Sequence, residues 1–361
     1  MKRRLDVFCE KLQEENVDAA FINAKENFFY LTGFLTDPHE RLLGLLVFSD
    51  GKEVAVLPAM EKAQLEEAGF EGEIIAYQDH EDPWESLRKF ASSVHTIGVE
   101  EEHLSHGRAK QLFMALGVSE VQDVTEMLDR QRAVKDEQEI SIMREAAALA
   151  DEGVEAGVAA LSEGVTEMEV LATIEFEMKK RGVREMSFST MVLFGEKAGH
   201  PHGNPGDRRL KKGDLVLFDL GVVWKGYTSD ITRTVAFGEP DEQQREIYET
   251  VKRAEAASLE LSRPGRRIGD LDQAARNIIT EAGYGDYFPH RIGHGLGINV
   301  HEFPSMSHLN DDTLQPGMTF TIEPGIYNPA IGGVRIEDDV LITEDGYETL
   351  TKTTKELRII E

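Results

Sequence analysis

Along residues 1–125 the hydrophobic positions switch repeatedly between two periods. Leu5, Phe8, Leu12 and Val17 recur at helical spacing, and Ala19-Ala20-Phe21-Ile22 then reads as a short buried strand. The stretch RLLGLLVFSDGKEVAVLP carries two apolar runs on either side of Asp50-Gly51, which predicts a hairpin. Ile97-Gly98-Val99 predicts a further strand. An α/β layer domain is therefore expected over residues 1–125. Residues 126–138 turn polar and charged and read as a linker. From 139 a long helical pattern, with Ile140, Met143, Ala147, Ala150 and Val154 on one face, opens a second domain that runs to 361.

The second domain repeats itself. LSEGVTEMEVLATIEFEMKKRG, from Leu161, matches LSRPGRRIGDLDQAARNIITEAG, from Leu261. Gly164 and Gly265 are separated by the same interval as Gly182 and Gly283. Each copy reads as a turn, an amphipathic helix and a terminating glycine. Thr166 and Glu169 form a capping box, and Gly182 and Gly283 stand where a left-handed helix end belongs. A strand pair with carboxylates follows each helix. The interval from Asp219 to Glu323, and from Asp230 to Glu337, is slightly wider, as small loop insertions would make it. An α+β domain with pseudo-two-fold symmetry, and a site at the junction of its halves, is expected.

Composition narrows the classes. At roughly 100–200 residues per domain, 361 residues fit two domains. The chain has 39 basic and 67 acidic residues, a net charge of −28. Such a surface repels nucleic acid and anionic lipid. The single cysteine, Cys9, excludes an intrachain disulfide and a thiolate metal cluster. Asp6, Glu10 and Lys11 interrupt the first segment, so no secretory signal is expected there. No run approaches the ~18 apolar residues of a membrane span. A cytoplasmic protein fits best.

The chemistry lies in the strand pairs. LVLFDLGVVWKGYTSDITRTVAFG reads as a hairpin turning at Trp224-Lys225-Gly226. A turn centred near 224–225 sets Asp219 directly opposite Asp230, with Cβ atoms roughly 4.5–5.5 Å apart. Like charges that close among Phe218, Leu220 and Ile231 call for a cation or a proton between them. MTFTIEPGIY and GVRIEDDVLIT read as a second strand pair, joined by a loop with Asn328-Pro329 and Gly332-Gly333. They put Glu323 and Glu337 in the equivalent positions. PHRIGHGLGINVHE lies between, with His290, His294 and His301. Four carboxylates and an imidazole make a hard, oxygen-rich donor set, suited to Mn2+, with Fe2+, Co2+ or Zn2+ as alternatives. Two ions bridged by carboxylates balance the charge better than one. The glycines of GHGLG are not a phosphate loop, because no G-x-G-x-x-G precedes a helix.

Taken together, FDLG, SDITRT, PHRIGHGLGINVHE, EPGIY and VRIED resemble the creatinase/aminopeptidase P/prolidase family of pita-bread metallopeptidases. The resemblance extends through ENFFYLTGFLTDPHERLLGLLVF, which is similar to the creatinase-like N-terminal domain, and through Arg132, Val134, Lys135, Glu139 and Ile140. It is nearest to the bacterial Xaa-Pro dipeptidase branch. The resemblance implies a metal centre of Asp219, Asp230, His294, Glu323 and Glu337. In it Asp219 chelates one ion, Asp230 and Glu337 bridge the pair, and His294 and Glu323 hold the other. It implies substrate-side roles for His202 and His301, a proton-transfer role for Glu323, and for Arg335 either a substrate carboxylate or a metal ligand as partner. It implies a homodimer in which His39 or Arg41, in the charged run Asp37–Arg41, limits substrate length. His290 is a further candidate at the substrate. The expected substrate is a small peptide with proline second. Aminopeptidase P shares the five ligands and is the alternative enzyme. A non-catalytic binding protein on the same fold would be expected to lack some of these residues, and every metal position here is filled.

Overall fold

The computed structural model describes residues 3–361. It divides into two compact units, one ending at Arg132 and the other spanning Ala133–Glu361.

The first unit runs α1 (Arg4–Glu14), β1 (Ala19–Ile22), α2 (Lys25–Thr32), β2 (Gly44–Phe48), β3 (Glu53–Pro58), α3 (Lys62–Glu67), β4 (Glu73–Tyr77), α4 (Pro83–Leu87), β5 (Thr96–Val99), α5 (His106–Leu116) and β6 (Glu120–Asp123), with α6 (Thr125–Ala133) at its end. Leu5, Phe8 and Leu12 form the buried stripe of α1, as their spacing predicts, while Val17 is buried just beyond the helix. One six-stranded mixed sheet, in the order β4-β3-β2-β1-β5-β6, organises the unit. β2 and β3 are the expected hairpin, with Leu46 opposite Val54, and Gly51 takes the left-handed conformation (φ 93°) that the turn needs. Every residue of β1, β2 and β3 is buried, and apart from Glu53 at the start of β3 these strands read as continuous apolar runs.

The second unit opens with α7 (Glu137–Ala159) and α8 (Glu167–Lys180), followed by β7 (Glu185–Met186), β8 (Met191–Phe194), β9 (Asp214–Leu220), β10 (Val222–Trp224), β11 (Tyr227–Thr228) and β12 (Ile231–Phe237). A second helix pair, α9 (Glu242–Leu261) and α10 (Ile268–Glu281), precedes β13 (His294–Gly295), β14 (Glu302–Ser305), β15 (Thr319–Ile322), β16 (Gly325–Asn328), β17 (Gly332–Arg335), β18 (Asp338–Ile342), β19 (Tyr347–Thr349) and β20 (Ile359–Ile360). Each half is thus a helix pair followed by strands, as the repeat predicts. The Thr166/Glu169 capping box is formed, and Gly182 and Gly283 both take positive φ (88° and 87°) at the helix ends.

Two expectations about the strand pairs are corrected. Asp219 does not face Asp230: its partner across the β9–β12 ladder is Thr232, and Leu220 faces Ile231. The turn is the two-residue Lys225–Gly226, both at positive φ (51° and 88°), the type I′ geometry that matches strand twist. It lies slightly later than the expected centre, which shifts every pairing. The ladder then breaks at Gly221, where a Cβ would stand 1.8 Å from the Ser229 carbonyl oxygen. Asp230 enters the gap, its N–H donating to Asp339 Oδ2 at 3.1 Å.

The second pair is not two long strands but four short ones. β15 pairs with β18 and β16 with β17, in a common register that leaves Glu323 and Glu337 opposite each other in the gap. Pro324 has no N–H for a ladder. The Glu323 N–H goes instead to Ile292 O (2.8 Å), and that of Glu337 to Thr232 O (3.1 Å) in the other half. Gly332 and Gly333 belong to β17 rather than to a loop.

Candidate metal centre

Both hairpin breaks turn their carboxylates to one place. Asp230, His294 and Glu337 bring ligand atoms within 4.8 Å of one another, all three residues buried. His294 Nε2 lies 3.5 Å from Glu323 Oε1 and 3.7 Å from Asp230 Oδ2. Its other nitrogen, Nδ1, is 3.1 Å from the Gly295 carbonyl and must donate to it. That bond sets the tautomer and turns the Nε2 lone pair toward the carboxylates, the orientation a metal-ligating histidine needs.

Supporting bonds hold each ligand. Thr232, the residue across from Asp219, donates its hydroxyl to Glu337 Oε2 at 2.6 Å. The Thr321 hydroxyl reaches Glu323 Oε1 at 3.4 Å. Arg335 is buried and branches three ways: Nη2 to Asp219 Oδ2, Nε to Thr232 Oγ1 (2.9 Å) and Nη1 to the Tyr327 hydroxyl (2.9 Å). Tyr327 passes its own proton toward His290 Nε2 at 2.8 Å, since His290 Nδ1 is committed to the Arg291 carbonyl at 2.8 Å. His301 packs on His294 with ring centroids 3.9 Å apart.

The electrostatics fit a cation. Among the described residues, Asp219 Oδ1 and Asp230 Oδ1 are buried with no hydrogen-bond partner. Buried carboxylate oxygens are costly unless a proton or a metal meets them. Desolvation, then the neighbouring carboxylates, pushes Asp230 and Glu337 well above the usual carboxylate range. Desolvation also raises Glu323 to about 7, against the opposing pull of Arg335. Burial, with His301 beside it, holds His294 down to about 3, so its ring is neutral and ligand-competent. Divalent cations would relieve the carboxylates and use the imidazole as it stands.

Of the residues singled out in the sequence, Asp219, Asp230, His294, Glu323, Glu337 and Arg335 converge here. His301 stacks on a member of the cluster, and His290 joins it through Tyr327. His202 is exposed, and its charge would be felt by both His290 and His301. His39 and Arg41 belong to the first unit. His39 is exposed at φ 54°, and Arg41 forms a two-pronged pair with Asp79 (2.8 and 3.1 Å). Three participants carried no signal strong enough to single them out: Thr232, Tyr327 and Asp339. Thr232 is legible only once the ladder register is known. Tyr327 stands in the EPGIY motif but acquires a role only through Arg335.

Two helix-and-strand halves meeting at buried carboxylates and one neutral imidazole define a metal-dependent hydrolase. The chain belongs to metallopeptidase family M24, whose model matches residues 141–344, and residues 4–134 match the creatinase/prolidase N-terminal domain. It is 58% identical over 353 residues to a Bacillus subtilis (strain 168) protein named "Putative dipeptidase YkvY", covering 97% of each chain. The prolidase of Pyrococcus horikoshii OT3 superposes with a TM-score of 0.92 at 36% identity, covering 99% of this chain and 100% of that one. The Xaa-Pro dipeptidase of Bacillus anthracis does so at 0.92 and 32% identity, covering 99% of both chains. The fold is therefore the creatinase-type N-terminal unit joined to a pita-bread metallopeptidase unit. Among the described residues, no helix is long and apolar enough to cross a membrane.

Proposed function

We propose that this protein is an Xaa-Pro dipeptidase that works with two divalent ions, Mn2+ foremost, with Co2+, Zn2+ and Fe2+ as alternatives for the same donors. The observation that carries the reading is the buried donor set itself. Buried Asp230, His294 and Glu337 bring ligand atoms within 4.8 Å of one another, partly buried Glu323 lies 3.5 Å from His294, and Asp219 and Asp230 each carry an orphaned oxygen, in a chain similar to solved prolidases; this supports Asp219, Asp230, His294, Glu323 and Glu337 as the donors.

Asp219, Asp230, His294, Glu323 and Glu337, within residues 139–361 as the catalytic domain, would hold the ions. When bound, the metal pair supplies an activated water and polarises the scissile carbonyl. Glu323 takes the proton of the attacking water and delivers it to the prolyl nitrogen, which becomes an amine as the C–N bond breaks. His202 and His301 donate hydrogen bonds to the oxygen on which negative charge develops. Arg335 is committed to Asp219, Thr232 and Tyr327, which favours orientation of a ligand over capture of a substrate carboxylate.

The test is a panel of Ala-Pro and Ala-Pro-Ala-type peptides on metal-stripped protein, with Mn2+, Co2+ and Zn2+ added back. Release of proline from the dipeptide, restored best by Mn2+, is the expected result. Preferential cleavage of the tripeptide would instead make the protein an aminopeptidase P, an activity named for an X-Pro aminopeptidase from Thermotoga maritima MSB8 that is 30% identical to it. The reading includes a cytoplasmic homodimer in which His39 or Arg41 of one subunit limits substrate length at the other. Full dipeptidase activity in a species that light scattering measures as a monomer would remove that part.

A further inference from the structure

His202 stands on a long excursion of the chain, residues 195–206, between β8 and the segment that returns along α8. Compact surface loops of about 6–16 residues bring their ends close together and are packed by their own side chains. Here one side chain touches both ends, beside a backbone bond from Met168 N–H to Gly206 O (3.1 Å) and a fork from Arg208 to Glu196 within the loop (2.9 and 2.6 Å). Glu167, the first residue of α8, is wholly buried. Its Oε1 accepts the Phe194 N–H at 2.9 Å, at the start of the excursion, and its Oε2 accepts the Gly206 N–H at 2.8 Å, at the end. The Lys197 ammonium, from within the loop, pairs with the same Oε2. A buried carboxylate with three donors is a charge-assisted clamp, and these are the stronger hydrogen bonds.

The other side of the loop is held by shape. A Cβ on Gly333 would lie 1.7 Å from the Ala198 carbonyl oxygen, and one on Gly199 would lie 2.6 Å from Pro329 N. The loop is therefore pressed on the β16–β17 hairpin, which carries Tyr327 and Arg335 and so reaches Asp219. The Glu167 clamp has no part in the metal chemistry, and the capping box of α8 uses Thr166 and Glu169 instead.

We propose that Glu167 is a positioning residue: its buried carboxylate ties loop 195–206 shut and so holds His202 in place for the reaction. The catalytic half of this inference rests on the role given to His202 above; the tie itself does not.

Glu167→Gln tests it without opening a cavity. The carboxamide leaves one oxygen for three donors and turns an NH2 group toward one of them. In the holoenzyme, kcat is expected to fall about tenfold with KM nearly unchanged, the signature of a weakened transition-state contact. Metal content stays at the wild-type level. In a His202→Ala background the same substitution should change kcat by less than about twofold, because the two residues act as one unit. Hydrogen exchange of the 195–206 amides should rise in E167Q while that of the carboxylate-bearing strands does not. Lys197→Met, which removes only the partly exposed partner, moves the same readouts less and serves if E167Q folds poorly. An undiminished tenfold loss in the His202→Ala background overturns the proposal, and so does unchanged exchange in the loop. Full turnover by His202→Ala alone would instead remove His202 from the proposed function, and exchange would still decide the tie.

Discussion

Arg335 and Asp219 form a buried ion pair in which the guanidinium, not solvent, fixes the carboxylate. The same fork reaches Thr232 and Tyr327, so one side chain sets the aspartate, the threonine that donates to Glu337, and the tyrosine that donates to His290. Lysine would keep the charge and lose the fork. Arg335→Lys is expected to lower metal affinity or kcat by ~10–100-fold, as changes in the groups that orient metal ligands do. Titration with Mn2+ followed by steady-state kinetics checks this. Wild-type values for both would show that charge alone suffices.

The buried carboxylates make stability depend on metal. Ligation of the native state stabilises by mass action, about 4 kcal/mol at a thousandfold excess over Kd. Chelation is expected to lower the melting temperature, and added Mn2+ to raise it with the logarithm of concentration. Asp230→Ala or Glu337→Ala should flatten that response and abolish turnover together. Either variant keeping full metal occupancy and turnover would defeat the bridging assignment.

His290 gives the fold a pH dependence of its own. Burial, with Arg335, Arg276 and His202 nearby, lowers its folded pKa to about 4 from the ordinary 6.5. The native state thus holds the ring neutral, and the unfolded chain binds the proton first as pH falls. Its contribution to stability is present above about 6.5 and is lost progressively between about 6.5 and 4. Denaturant unfolding of the metal-free protein at pH 7 and pH 5 should lose less stability on acidification in His290→Asn than in the wild type. An equal loss in both would show that His290 is not the group responsible.

Glycine positions separate close approach from mere flexibility. At Gly221 a Cβ meets the Ser229 carbonyl oxygen at 1.8 Å, at the break that releases Asp230 into the cluster. Gly221→Ala should destabilise by ~2–4 kcal/mol and weaken metal binding, because backbone must move. Gly107 lies in α5 with nothing within 4 Å of its Cβ position. Gly107→Ala should raise stability by up to about 1 kcal/mol. Thermal melts of both variants, with and without Mn2+, read the contrast.

Much was legible along the chain because it is local. The stripe of α1, the hairpin at Asp50-Gly51, the Thr166/Glu169 capping box and the helix ends at Gly182 and Gly283 all depend on residues within a few positions of one another. The duplicated strand pairs made the convergence of Asp219, Asp230, Glu323 and Glu337 readable, since charge among apolar neighbours stands out at any distance. The roles of Thr232 and Tyr327 were not readable in that way. Their partners lie in other elements, and the partner set follows from ladder register.

The sequence by itself determined the candidate metal donors, the two related halves and the placing of the helices, through periodicity, caps and charge among apolar neighbours. Only the tertiary structure decided that Asp219 faces Thr232, that the first strand pair breaks at Asp230 and that the second breaks at Glu323 and Glu337. It also turned Arg335 inward to Asp219. The physical reason is that strand pairing propagates from the turn. A small shift to the Lys225–Gly226 turn moves every opposed pair, and the N–H groups released at Glu323 and Glu337 find acceptors at Ile292 and Thr232, distant along the chain.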